Sequence, residues 1–163
     1  MSFNQSEQHT KWTAQTNNPN LQLFLTTDPL EIQPLINFVK SPTSGAIVSF
    51  SGTTRNNFGG KTVVKLSYEA HIQLALKTLI KLAEEALRKF QAEKIAIAHR
   101  LGDVAVMEES ILIVCSTAHR ELGWKCGEWL LNEVKAKLEV WKNEVYSDGV
   151  GSWKVNDNSS VPL

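Results

Sequence analysis

Five side chains in this sequence carry charge or proton chemistry suited to an anionic ligand: Arg55, His119, Arg120, Lys135 and Lys142. His119-Arg120 follows the apolar run that ends at Cys115, where a strand is expected to hand over to a helix. Unpaired N–H groups and the positive end of the helix dipole favour anions there. An arginine adds a planar fork that fits phosphate or carboxylate. The plain alternative is a surface His-Arg pair at a helix start, with Ser116 and Thr117 as simple caps. Lys135 and Lys142 are seven residues apart, which in a continuous helix is two turns, roughly 10 Å along one face. Lys135 borders an apolar stripe, so partial desolvation is expected to favour its neutral amine, a proton acceptor or covalent nucleophile. The alternative is a solvated lysine on a helix flank, as Lys137 reads. Arg55 opens an Asn-Asn-Phe-Gly-Gly turn after a strand, a place where charged residues often serve function; otherwise it is a hairpin-tip arginine in water. Brought together, the five would line a cationic pocket for a small, phosphate-bearing molecule.

The bulk composition narrows the classes. The chain has 163 residues and a formal net charge of zero, which argues for one domain and against general nucleic-acid binding, where a basic excess is expected. Any electropositive site is therefore local. The glycines make no G-x-x-x-x-G-K-[ST] phosphate loop. No His, Cys and carboxylate cluster has metal spacing, so neither metal nor cofactor is expected. The two cysteines, Cys115 and Cys126, fit neither a C-x-x-C redox motif nor a zinc site and read as buried free thiols. Cys115 as a sulfur-handling nucleophile is the other possibility. The N-terminus has no charged segment followed by an apolar core, and no apolar run reaches the roughly 20 residues of a membrane span. The expectation is a cytoplasmic protein with no membrane partner.

The elements that must position these residues follow from periodicity. Residues 1–20 are rich in Asn, Gln, Thr and Ser and read as a flexible tail, with 21–163 as the single catalytic domain. Leu21 to Leu25 suits a first strand. Asp28-Pro29-Leu30-Glu31 predicts a helix start, with Asp28 as N-cap and an end by Lys40, ahead of Pro42. Gly45 to Thr54 alternates, with Ala46, Val48 and Phe50 on one face. Val64, Leu66, Tyr68 and Ala70 alternate likewise, so the two segments predict a hairpin with a mobile tip at 55–61. Ile72 to Phe90 changes to a helical period, its stripe running through Ala75, Leu76, Leu79, Ala83, Ala86 and Leu87. Ile95 to His99 and Val104 to Met107 read as short strands around Gly102-Asp103, and His99 as a packing or hydrogen-bonding residue. Ser110 to Thr117 reads as a central strand. Glu121 to about Leu138 is a second long helix with Leu122, Cys126, Trp129, Leu130, Val134 and Leu138 inward, and a last strand is possible near Trp153. Trp124, Trp129, Trp141 and Trp153 suit core or interface anchors. Hairpins mixed with helices favour α+β: a mixed or antiparallel sheet with two long helices packed on it.

Taken together, Thr54-Arg55-Asn56-Asn57, Tyr68-Glu69-Ala70, His99-Arg100-Leu101-Gly102, Ser116-Thr117-Ala118-His119-Arg120, Lys135-Ala136-Lys137 and Trp141-Lys142-Asn143-Glu144 resemble the large, catalytic subunit family of molybdopterin synthase. The likeness runs in order from about Gly45 to Trp153. It implies an α/β-hammerhead fold and an enzyme of molybdenum-cofactor biosynthesis. That enzyme converts cyclic pyranopterin monophosphate (precursor Z) to molybdopterin by installing two sulfurs as a dithiolene. The resemblance also implies the sulfur donor, the thiocarboxylate on the Gly-Gly C-terminus of a small ubiquitin-like subunit, and a central homodimer within a heterotetramer. Arg55, His119 and Arg120 match the family's substrate-anion and active-site positions, and Lys135 and Lys142 its two essential lysines. The resemblance gives Lys135 acid/base or covalent handling and Lys142 charge stabilisation, while Glu144 could orient a lysine. Two positions depart from the pattern: Glu139 stands where a helix-ending proline is usual, and Val155-Asn156-Asp157-Asn158 supplies no basic residue beyond Lys154. The rival readings are a non-catalytic dimeric binding module for a phosphorylated metabolite, a scaffold for the ubiquitin-like partner, and a thiol-based sulfurtransferase using Cys115.

Overall fold

Ile95 to Ala98 and Ile111 to Cys115 are buried without interruption. Such runs suit strands covered on both faces, since alternate side chains point to opposite sides and each side needs an apolar partner. The computed structural model, which describes residues 10–149 and 151–154, provides those partners. The first sheet is built from β1 (Lys11–Thr13), β2 (Leu21–Thr26), β3 (Ala46–Thr53), β6 (Lys94–Arg100) and β8 (Glu109–Thr117), in the order β1-β2-β6-β8-β3. Only the β2–β6 pair is parallel. One face, with Ile95, Ile97, Ile111, Ile113 and Cys115, packs on α2 (Ile72–Phe90) and α3 (Arg120–Lys137). The other, with Ala96, Ala98, Leu112 and Val114, packs on α1 (Ile32–Val39).

A second, antiparallel sheet has the order β10-β9-β5-β4, formed by β10 (Gly151–Lys154), β9 (Val140–Tyr146), β5 (Lys61–Ala70) and β4 (Asn57–Phe58). The short β7 (Gly102–Ala105) also pairs with β5. The helical period from Ile72 to Phe90 is realised over that same range, and β8 lies between β6 and β3 as a central strand must. The chain is thus α+β, with two long helices on a mixed sheet. Among the described residues no helix is long and apolar enough to cross a membrane.

Four expectations change. First, β3 and the segment after Lys61 do not form a hairpin: β3 pairs with β8, and β5 with β9. Alternation identifies a strand but not its partner. At Thr54 the backbone is tied to Glu108 and Met107 (3.1 and 2.9 Å), and the chain crosses to the second sheet. The local hairpin is β4–β5, closed by Gly59 and Gly60 at φ +56° and +79°, the two left-handed positions that a two-residue turn requires. Second, α1 begins at Ile32 with Glu31 as its N-cap, rather than after Asp28. Pro34 explains the shift. In a helix starting at Pro29 it would sit past the first turn, where its missing N–H and its ring break the ladder, whereas from Ile32 it falls among the N–H groups that need no partner. Third, the part of the expected tail that is described is structured, because Lys11–Thr13 adds an edge strand on β2. Residues 1–9, like Val155 to Asn158, lie outside the described residues. Fourth, α3 stops at Lys137 despite Glu139, and the chain enters β9, so Lys142 is a strand residue and not the next turn of a helix.

Candidate active site

Arg55, Lys135 and Lys142 come from three separate elements and line one cavity of about 240 Å³. Arg55 follows the end of β3, Lys135 lies in the last turns of α3, and Lys142 is the third residue of β9. The period of two along β9 puts Lys142, Glu144 and Tyr146 on one side. Lys142 Nζ lies 3.4 Å from Glu144 Oε1, and Tyr146 Oη donates to Glu144 Oε2 at 2.5 Å. Glu144 is 2% exposed. A carboxylate so buried needs such partners, because desolvating it unpaired is costly. The bond to Glu144, followed by burial, pushes the Tyr146 hydroxyl up to about 12. The charged lining is therefore three cations against one carboxylate, a local positive site in a chain with no net charge.

The cavity floor is uncharged. Phe50, Tyr68, His99, Ser110 and Ile111 form it. Tyr68 and His99 meet edge to face, with ring centres 5.0 Å apart. Burial drives the His99 imidazole down to about 4, and burial raises the Tyr68 hydroxyl. A second hollow, lined by Thr54, Asn56, Gly59, Val106 and Met107, shares Arg55, Asn57 and Phe58 with the first.

Two sequence expectations fail here. His119 and Arg120 are exposed at the start of α3, while Lys135 is near its other end. Arg120 and Lys135 are fifteen helix positions apart, roughly 22 Å along the axis, so the pair does not reach its own chain's cavity. Lys135 itself is exposed and not desolvated by the apolar stripe. Lys137 pairs with Glu133 one turn back, as a flank lysine does. Trp129 packs on Phe90, whereas Trp124, Trp141 and Trp153 are exposed. Residue type and spacing point to neither His99 nor Tyr146 as a site residue. Reading 140–146 as a strand would have placed Tyr146 beside Lys142 and Glu144, but His99 carries no such local signal, since β6 and the cavity meet only in the tertiary fold. Cys115 and Cys126 are buried free thiols, away from the cavity lining. Among the described residues no group of three or more His, Cys, Asp or Glu could hold a metal ion.

Residues 25–137 match the MoaE protein family. The molybdopterin synthase catalytic subunit of Aspergillus niger is 46% identical over 143 residues, covering 86% of this chain and 79% of the relative. The crystal structure of molybdopterin synthase from Staphylococcus aureus superposes with a TM-score of 0.76 at 28% identity, covering 80% of this chain and 94% of the other. A chain in a complex of subunits 1 and 2 of molybdopterin-converting factor from Helicobacter pylori shares the fold, with a TM-score of 0.67 at 21% identity over 86% of this chain and 94% of that one. With a cationic cavity at the end of α3 and the matching fold around it, the chain belongs to the MoaE family, that of molybdopterin synthase catalytic subunits.

Proposed function

We propose that this chain transfers sulfur from the C-terminal thiocarboxylate of a small ubiquitin-like subunit to cyclic pyranopterin monophosphate, and that Arg55, Lys135 and Lys142 hold the two reactants. The observation that carries the reading is the convergence of these three cations, from distant parts of the sequence, on one cavity. Both reactants are anions, and bringing them together without counter-charge would raise the barrier. Two hollows that share Arg55 offer adjoining places for substrate phosphate and the partner's tail.

The thiocarboxylate sulfur attacks the pterin side chain and forms a C–S bond, while the displaced oxygen leaves with a proton. Water then breaks the acyl C–S bond, so that sulfur stays on the pterin and the partner's tail becomes a carboxylate. Lys135, at the cavity edge, supplies and takes the proton. Lys142, held by Glu144, stabilises negative charge on the bound reactants. His119 and Arg120 are too far to serve their own cavity. In the homodimer within a heterotetramer that this reading entails, they serve the neighbouring copy. The segment 21–163 acts as one catalytic domain in the cytoplasm, where the buried thiols stay reduced.

The test is reconstitution of the purified chain with a thiocarboxylated small subunit and the pyranopterin substrate, reading molybdopterin formed. The parent chain is expected to produce it and Lys135→Ala to lose at least ~100-fold in turnover while still binding the small subunit. Turnover by folded Lys135→Ala at the parent rate would remove Lys135 from the chemistry, and a parent chain that binds both reactants but forms no molybdopterin would leave only a binding module.

A further inference from the structure

The uncharged floor of the cavity has a chemistry of its own. His99 lies in β6, is 6% exposed and lines the cavity. Its Nδ1 is 2.8 Å from the Arg100 carbonyl oxygen. A carbonyl only accepts, so Nδ1 carries the proton, and in a neutral imidazole Nε2 is left with a lone pair. Burial disfavours the imidazolium and outweighs the bond to the Arg100 carbonyl, which favours it. The carboxylate within the lining is Glu144, whose oxygens are committed to Lys142 and Tyr146. Ser110 Oγ donates to the Gly52 carbonyl at 3.3 Å. Phe50 and Tyr68 add aromatic surface.

We propose that His99 and the aromatic floor form a subsite for the neutral ring of the substrate, in which His99 Nε2 accepts a hydrogen bond from a ring N–H. A carboxylate or a cyclic phosphate diester has no proton to offer this lone pair at neutral pH and is repelled by it. A flat heterocycle with N–H donors satisfies it and stacks on the floor. The pyrimidinone half of a pterin is such a group. The subsite fixes the substrate's direction, with its anionic end toward Arg55 and the lysines and its donor edge toward His99. This inference rests on the pterin reading above.

The experiment measures binding of two probes, a phosphate-free neutral pterin and inorganic phosphate, to the full chain, with thermal melting as the check on folding. His99→Phe keeps the ring shape without the acceptor, and is expected to weaken pterin binding about tenfold while leaving phosphate binding within about twofold. His99→Gln, whose amide oxygen can take the place of Nε2, should recover most of that loss. In the reconstituted reaction His99→Phe should raise KM with little change in kcat. A second measurement needs no variant: the parent chain should prefer the pterin over an N-methylated analogue lacking the donor by about tenfold. Equal affinity for the two pterins, or unchanged pterin binding by folded His99→Phe, overturns the subsite. Equal losses for both probes in both variants would reduce His99 to a packing residue. A parent chain that binds phosphate but no pterin removes the underlying functional reading instead.

Discussion

Replacing Lys142 by Met tests whether this lysine acts on the reactants or only neutralises a buried carboxylate. The structure sets the size of the effect. At 3.4 Å and an effective dielectric of about 20, the Lys142–Glu144 attraction is about 5 kcal/mol before desolvation is counted. Breaking a fully buried pair costs about 3–5 kcal/mol. The Lys142 side chain is 28% exposed and Tyr146 still donates to the carboxylate, so Lys142→Met should cost about 2 kcal/mol. For a chain of this size that is a fall of roughly 4–8 °C in Tm. Glu144→Gln keeps an acceptor for Tyr146 and removes the charge. The double variant Lys142→Met/Glu144→Gln should therefore return to within about 0.5 kcal/mol of the parent in urea unfolding, a favourable coupling that the cycle measures directly. Turnover should not return: both Lys142→Met and the double variant should stay at least ~100-fold down in the reconstituted reaction. A double variant that regains the parent rate would show that Lys142 serves Glu144 alone. No loss of stability in Lys142→Met would show that the pair carries no net stabilisation.

Three further outcomes are expected. Gly123→Ala puts a Cβ 3.0 Å from both Thr117 Oγ1 and Val48 Cγ2, and Thr117 is tied to the His119 carbonyl at 2.8 Å; overpacking should outweigh the gain in helix propensity and cost about 1 kcal/mol in urea unfolding. His99 titrates near 4 in the folded chain against an ordinary 6.5, so unfolding takes up a proton between those values. Stability should be insensitive to this group above pH 6.5 and should fall as the pH drops from 6.5 to 4, a slope that His99→Gln removes when unfolding is followed across that window. Chains carrying Arg120→Ala and chains carrying Lys135→Ala, each inactive alone, should regain roughly a quarter of parent activity when unfolded together and reassembled, since half the dimers are then mixed and each has one intact site. No recovery would mean that Arg120 does not act across the dimer.

Local periodicity made much of this fold legible. The stripe from Ile72 to Phe90 and the β-branched run before Thr117 became α2 and β8 because burial on one face, or on both, is written in the spacing itself. Pairing was not legible. The alternation of Ala46 to Phe50 suits β5 and β8 equally as partners, and the choice is made by layers of helix that lie far away in sequence. Arg55 and Lys135 were legible as candidates by charge and place, and their convergence with Lys142 rested on the resemblance. His119 and Arg120 were grouped with them by type, yet α3 itself holds them a helix length away from Lys135. A two-turn spacing places Lys142 on the helix, and it is indistinguishable from a turn and strand until the helix end is known. His99 read as a packing residue because nothing around it in sequence announces the cavity it faces.

The cavity wall is gathered from Phe50 through Glu144, across both sheets. A ribosome delivers Arg55 and His99 well before Lys135, Lys142 and Glu144. A nascent chain halted ahead of α3 would carry one cation of the three and no carboxylate brace, so it would lack the finished cavity's positive charge. Ligand capture thus becomes a late event in biogenesis, available only to molecules whose C-terminal third has docked.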